Sequence, residues 1–151
     1  MKGKVHNMFN NTAELLDYMV EKCKERGLET VIAMCKNGYS SFQACLPHTC
    51  KYVDYYDETK HIRWMEEPLT PGRHGWLEGT ALFVDTVWRH NATQQNASVD
   101  MVIINWHQSS GRTVNNEDYK RIRVRITDSE KVTNKKINNA IDQYLRYMSE
   151  K

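Results

Sequence analysis

The sequence predicts one α+β domain over residues 1–151, a mainly antiparallel sheet of about six to seven strands packed with an N-terminal and a C-terminal helix. Three observations predict it. Helical stripes mark the two ends of the chain, and β-forming runs fill the stretch between them. No crossover helix of the kind that parallel strands need interrupts the middle. At 151 residues the chain can bury roughly two-thirds of its unfolded surface. A content of 40% hydrophobic and 26% charged residues is globular and argues against intrinsic disorder.

Asn11 opens the first helix as a cap, with Glu14 three residues later to reciprocate. Leu16, Met19, Val20 and Cys23 form its apolar stripe, and Gly27 supplies the stop. Leu28 to Lys36 and Tyr39 to Leu46 are β-forming runs on either side of Asn37-Gly38, a pair that tolerates the positive φ of a hairpin turn. Lys51 to Tyr56 and Lys60 to Met65 read as a second hairpin around Asp57-Glu58-Thr59. Glu66 to Gly79, with two prolines and three glycines, reads as a long loop. Thr80 to Arg89 and Val99 to His107 are strands joined by the polar stretch Asn91 to Ser98. Lys120 to Thr127 is a further strand, in which Ile122, Val124 and Ile126 alternate with arginines. A closing helix runs from about Asn134 to Ser149, its stripe being Ile137, Ala140, Ile141, Tyr144, Leu145 and Met148.

The net charge of +2 names no partner, but its distribution is uneven. Residues 51–100 hold five Lys/Arg against eight Asp/Glu, and residues 101–151 hold ten against six. Attraction for an anionic ligand is therefore expected in the last third. The start, Met1-Lys-Gly-Lys-Val-His, lacks the apolar core of a secretory signal, and no apolar run approaches a membrane span. The expected location is the cytoplasm. There the sequons at Asn10, Asn91 and Asn96 are chance matches, and Cys23, Cys35, Cys45 and Cys50 are reduced thiols.

Five constellations carry candidate chemistry. Arg121, Arg123 and Arg125 project from one strand face about 7 Å apart. Three like charges in a row ask for counter-charges, which a phosphate would supply through bidentate contacts. Acidic residues of the middle third would serve equally, and charge on an edge strand also blocks aggregation. Lys120, Arg112 and Tyr119 are close enough in sequence to extend this surface. The loop Thr70 to Trp76 combines Arg73, His74 and Trp76 with glycines that permit close backbone approach. It lacks the lysine and the context of a P-loop. Cys45, His48 and Cys50, with His61 and Cys35 in reach, are zinc-ligand types, but their spacing fits no standard zinc module.

His107-Gln-Ser109 resembles one half of the paired His-x-Ser/Thr signature of two-histidine phosphodiesterases, and a second copy at a suitable distance is absent. Asp85 and Asp100, on neighbouring strands, could pair as acid and base or hold a metal. Trp64, Trp88 and Trp106, with Tyr52, Tyr55 and Tyr56, complete an aromatic content suited either to a core or to stacking on bases.

The sequence reading is a non-enzymatic protein that binds a phosphate-bearing ligand, a nucleotide or nucleic acid, without a cofactor or metal. A phage or mobile element would use such a protein as an inhibitor that sequesters a ligand. The contacts would come from Arg121, Arg123 and Arg125, with Arg112, Arg73 and Trp76 as further members. One alternative is a protein-binding inhibitor or accessory factor of a host system. The other is a small hydrolase or phosphodiesterase using His107 with Ser109, or Asp85 with Asp100. A hairpin-rich sheet leaves an edge to cover, which admits a homo-oligomer.

Overall fold

Asn11 ends its extended approach by accepting a hydrogen bond from the Glu14 N–H at 2.9 Å, and the helix α1 (Thr12–Glu25) begins there. Glu14 reciprocates one residue earlier than the sequence suggests, accepting from Asn10 N at 2.8 Å. Gly27, at φ 82, lets the Leu28 N–H turn back to the Cys23 carbonyl and closes the helix. The computed structural model describes residues 8–35, 38–54, 62–64, 75–87, 97–107 and 110–151. After α1 come β1 (Glu29–Cys35), β2 (Gly38–Cys45), β3 (Lys51–Asp54), β4 (Ile62–Trp64), β5 (Gly75–Thr86), β6 (Ser98–His107), β7 (Ser110–Val114), β8 (Ile122–Arg125) and α2 (Glu130–Ser149). Ser129 caps α2 by accepting from Val132 N, so the helix begins at Glu130, four residues before the sequence-predicted start.

Every pairing in the sheet is antiparallel. The hairpin β1–β2 closes on Cys35 opposite Gly38, with a register shift between Ala33 and Met34. The hairpin β3–β4 pairs Lys51 with Trp64 and Val53 with Ile62; its predicted turn, Asp57 to Thr59, lies outside the described residues. Two findings extend the strands expected from sequence, one by lengthening a strand and one by adding a strand. Gly75 to Gly79 belong to β5 rather than to a loop, and Ser110–Val114 form the additional strand β7. Both stretches contain glycine, which weakens the local β signal, although a ladder partner, β3 for Gly75–Glu78 and β6 for Ser110–Val114, holds the backbone extended.

The two long strands β5 and β6 organise the rest. They pair from Gly79 opposite Trp106 to Thr86 opposite Val99. The outer edge of β5 takes two short strands end to end: β2 pairs at Leu82–Asp85 and β3 at Gly75–Glu78. The outer edge of β6 does the same with β7, at Ile103–His107, and β8, at Ser98–Met101. Each tandem pair is separated by an excursion of the chain, residues 46–50 on one side and 115–121 on the other.

Both excursions are tied to α2. In the first, Leu46 to Thr49 make a turn with Pro47 at the second position and His48 at φ 62, the pattern of type II, and Thr49 N donates to the Leu46 carbonyl at 3.2 Å. The ladder on that edge of β5 skips residues 79–81. The Thr80 carbonyl is served instead by the Tyr144 hydroxyl at 3.1 Å and the Cys50 thiol at 3.3 Å, and Leu46 N donates to the same Tyr144 oxygen at 3.0 Å. In the second excursion, Asn116 Oδ1 accepts from the N–H groups of Asp118 and Tyr119, and Asn115 Oδ1 accepts from Arg121 N. Gln143 of α2 accepts from Lys120 N at 2.7 Å.

Side chains alternate across the sheet, so Leu82, Val84, Val99, Met101, Ile103 and Val124 share one face. With Phe42, Ala44, Leu15, Leu16, Met19, Ile137, Ile141 and Tyr144 they form the main core under the two helices. Each fully buried aliphatic or aromatic side chain there stabilises the fold by about 1.5–3 kcal/mol. No helix among the described residues is long and apolar enough to cross a membrane.

Two substitutions test this account of the junction. Tyr144→Phe leaves the Leu46 N–H without its partner, and we expect a loss of about 1–3 kcal/mol by urea unfolding. Gly79→Ala should destabilise by a comparable amount, about 1–3 kcal/mol. Gly79 stands at φ 133, and an added Cβ would lie 2.8 Å from the Cys50 sulfur and 2.9 Å from the Thr49 carbonyl.

Candidate functional site: arginines held on a buried aspartate

The face of the sheet turned away from the helices carries the charged cluster. The ladder sets Ser41 opposite Asp85, Asp85 opposite Asp100, and Asp100 opposite Arg123, a row crossing β2, β5, β6 and β8. Asp100 is out of phase with Val99 and Met101, so it points to this second face together with Val102 and Ile104. All three are buried.

The Asp100 side chain is 7% exposed. A carboxylate at that depth is costly unless its oxygens are paired. Arg123 pairs them with a fork: Nε donates to Oδ1 at 2.8 Å and Nη2 to Oδ2 at 3.1 Å. Arg121 adds Nη1 to Oδ2 at 3.4 Å. The two arginine side chains remain 32% and 44% exposed, Arg123 and Arg121 respectively. Each guanidinium has five N–H donors, so both keep donors that Asp100 does not use. Hydrogen bonding to Asp100 also raises the Arg123 pKa further, which fixes its charge.

Asp85 is half-buried beside this pair. Burial pushes its carboxyl pKa up; the Thr86 backbone hydrogen bond and Arg121 oppose the rise, while the charge of Asp100 adds to it. Arg125 lies on the same side of β8, opposite Ser98, and is exposed. Its backbone N–H donates to Asp128, and its guanidinium makes no ion pair among the described residues. The predicted ladder is thus assembled, with Asp100 as the counter-charge for two of its three members. Among the described residues β8 pairs only with β6, so these arginines stand at a sheet edge.

The further predicted members separate from it. Arg112 pairs with Asn105, whose amide reaches Tyr147 of α2, so Arg112 sits on the helix-facing side. Arg73 and His74 lie outside the described residues. Trp76 is a β5 residue opposite Val53, and its side chain is not among those described. Lys120 and Arg121 instead border a groove of about 630 Å³ between the 115–121 excursion and α2, shared with Glu117, Asn139, Asp142 and Arg146.

The remaining candidates distribute as follows. His107 is exposed near the end of β6, on the opposite face from Asp100, and Ser109 lies outside the described residues. Asp85 and Asp100 are cross-strand neighbours, but guanidinium donors occupy both Asp100 oxygens. Cys45 and Cys50 are buried free thiols, whereas His48 is exposed at the apex of its turn. Among the described residues no three potential metal ligands gather. Trp106 faces the Asp100 side, with its indole laid over Gly111, where a Cβ would stand 2.9 Å from the ring. Trp64 and Trp88 have no described side chains.

No protein-family model, curated protein or solved structure matches this chain.

The sign of the Asp85 effect gives a test. A carboxyl with a raised pKa in the fold binds protons more readily there than in the unfolded chain. It therefore favours folding below that window and loses this contribution as pH rises through its folded value. Asp85→Asn is expected to raise the urea midpoint at neutral pH. The gain should shrink as the pH is lowered through about 4, where the wild-type carboxyl is also neutral.

Proposed function

We propose that this protein binds a phosphate-bearing ligand, a nucleotide or nucleic acid, through Arg121, Arg123 and Arg125 at the outer edge of the sheet. The observation that carries the reading is the buried Asp100 carboxylate, which holds the Arg123 fork and Arg121 in place while leaving both partly exposed. A guanidinium already fixed by a carboxylate loses less rotamer entropy when an anion arrives, and its unused donors suit phosphate oxygens. Three guanidiniums in the row also outnumber the two carboxylates, Asp85 and Asp100. Arg125 adds a cation with no ion-pair partner among the described residues. The binding is read as non-enzymatic, since guanidinium donors occupy both oxygens of Asp100.

The test is fluorescence anisotropy with a labelled single-stranded oligonucleotide, together with calorimetry using a nucleoside triphosphate, each over a range of salt. Affinity for at least one probe should fall steeply with added salt as neutralised phosphates release counterions. Arg125→Ala should weaken binding and reduce the salt slope by about one. Arg112→Ala, on the opposite face, should leave both unchanged. Absence of binding to both probes, or an affinity indifferent to salt, would overturn the reading.

A further inference from the structure

The excursion between β2 and β3 brings two cysteines to its neck. Ala44 stands opposite Leu82 and Lys51 opposite Glu78 on β5. Cys45 and Cys50, one residue inside each, are therefore separated by two strand steps, roughly 6–7 Å along β5. A disulfide spans Cα atoms about 4–7 Å apart. The two thiols shift each other's pKa in opposite directions, Cys50 raising that of Cys45 and Cys45 lowering that of Cys50. Both are free and buried, while Pro47, His48 and Thr49 of the intervening turn are exposed.

The surroundings distinguish the two sulfurs. The contact with Cys45 lowers the Cys50 pKa, against the effect of burial, and hydrogen bonding from Thr49 and the charge of Lys151 also lower it. Lys151 Nζ is anchored 2.7 Å from the hydroxyl of Thr80, the residue whose carbonyl accepts from Cys50. Hydrogen bonding to Cys50 and burial together push Cys45 the other way. Cys23 offers a contrast within the same chain: burial pushes its thiol up to about 12, and it lies on α1 with no described cysteine beside it.

We propose that Cys45 and Cys50 are a reversible oxidation site, closed to an intramolecular disulfide by hydrogen peroxide. Cys50 gives up the proton it shares with the Thr80 carbonyl, and its thiolate attacks one peroxide oxygen. An S–O bond forms, the O–O bond breaks, and the departing hydroxide takes up the Cys50 proton to become water. Cys45 sulfur then attacks the resulting Cys50 sulfenic acid. The S–S bond forms as the S–O bond breaks, and the second hydroxide leaves as water with the Cys45 proton. In sum, two thiols and one peroxide yield one disulfide and two waters. Peroxide is small and neutral, which suits a buried pair flanked by an exposed turn. Oxidation removes the Cys50 donor from the Thr80 carbonyl and leaves the neck covalently closed beside Tyr144.

The test is a peptide map of the full-length wild-type protein after graded peroxide, with free thiols blocked by alkylation. The expected product is a peptide in which Cys45 and Cys50 are joined, lighter by two hydrogens, and restored by dithiothreitol. Cys45→Ser should convert the product to Cys50 carrying one or more oxygens, with the crosslink lost. Cys50→Ser should lose both crosslink and oxygen adduct. Cys23→Ser should leave the crosslink unchanged. A wild-type map in which Cys45 and Cys50 stay alkylatable, or in which either is joined to a different cysteine or a second chain, would overturn the proposal and needs no variant to fold.

Discussion

Among the described residues six strands are assembled on two, β5 and β6, and this arrangement creates a problem that the rest of the structure answers. Because β2 and β3 lie end to end along β5, the ladder breaks opposite residues 79–81. A buried carbonyl facing such a break must find another donor or cost the fold about 1–3 kcal/mol. The Thr80 carbonyl finds two, the Tyr144 hydroxyl and the Cys50 thiol. The Thr80 side chain continues the connection: its hydroxyl donates to Asn105 at 2.5 Å and accepts from Lys151. Asn105 in turn donates to Tyr147. One residue of β5 thereby joins the first excursion, the neighbouring strand and the last two turns of α2.

The second excursion repeats the solution with different chemistry. Asn116 folds the turn on itself, Gln143 takes the Lys120 N–H, and Arg146 donates to the Asp118 carbonyl at 2.5 Å. Arg146 also lies over the Tyr119 ring, which meets Tyr147 edge-on at 5.1 Å. The Tyr119 hydroxyl donates to Glu150. Helix α2 is thus held by apolar burial along its length and by polar contacts at its C-terminal end. The same excursion places Arg121 at the start of β8, so the site at the sheet edge inherits its position from the packing of α2.

On the face away from the helices, Asp100 occupies an interior position usually given to an apolar residue. Its cost is met by two guanidiniums, that of Arg123 on the edge strand β8 and that of Arg121 just before it. The same pairing shapes the proposed binding row: a carboxylate that fixes two arginines also decides which donors remain for an anion. Charge on β8 further protects an edge that has no ladder partner among the described residues.

The alternation of Ile122, Val124 and Ile126 with arginines was sufficient to place a strand and to put the three guanidiniums on one face, because a strand's period is two. The caps at Asn11 and Gly27 and the stripes of both helices were equally legible, being local hydrogen-bonding and periodicity effects. Strand β7 was not legible, since Ser110-Gly-Arg-Thr-Val has little intrinsic β preference and is extended by its partner β6. The sequence could say that the arginines needed counter-charges, and not that Asp100 supplies them. That depends on the β6–β8 register, in which residues more than twenty positions apart become direct neighbours. The separation of Arg112 from the row, the meeting of Cys45 and Cys50, and the role of Thr80 are of the same kind. Local sequence determines which residues can cap, alternate or turn; which of them meet is decided by register, a long-range property fixed only when both faces of the sheet are packed.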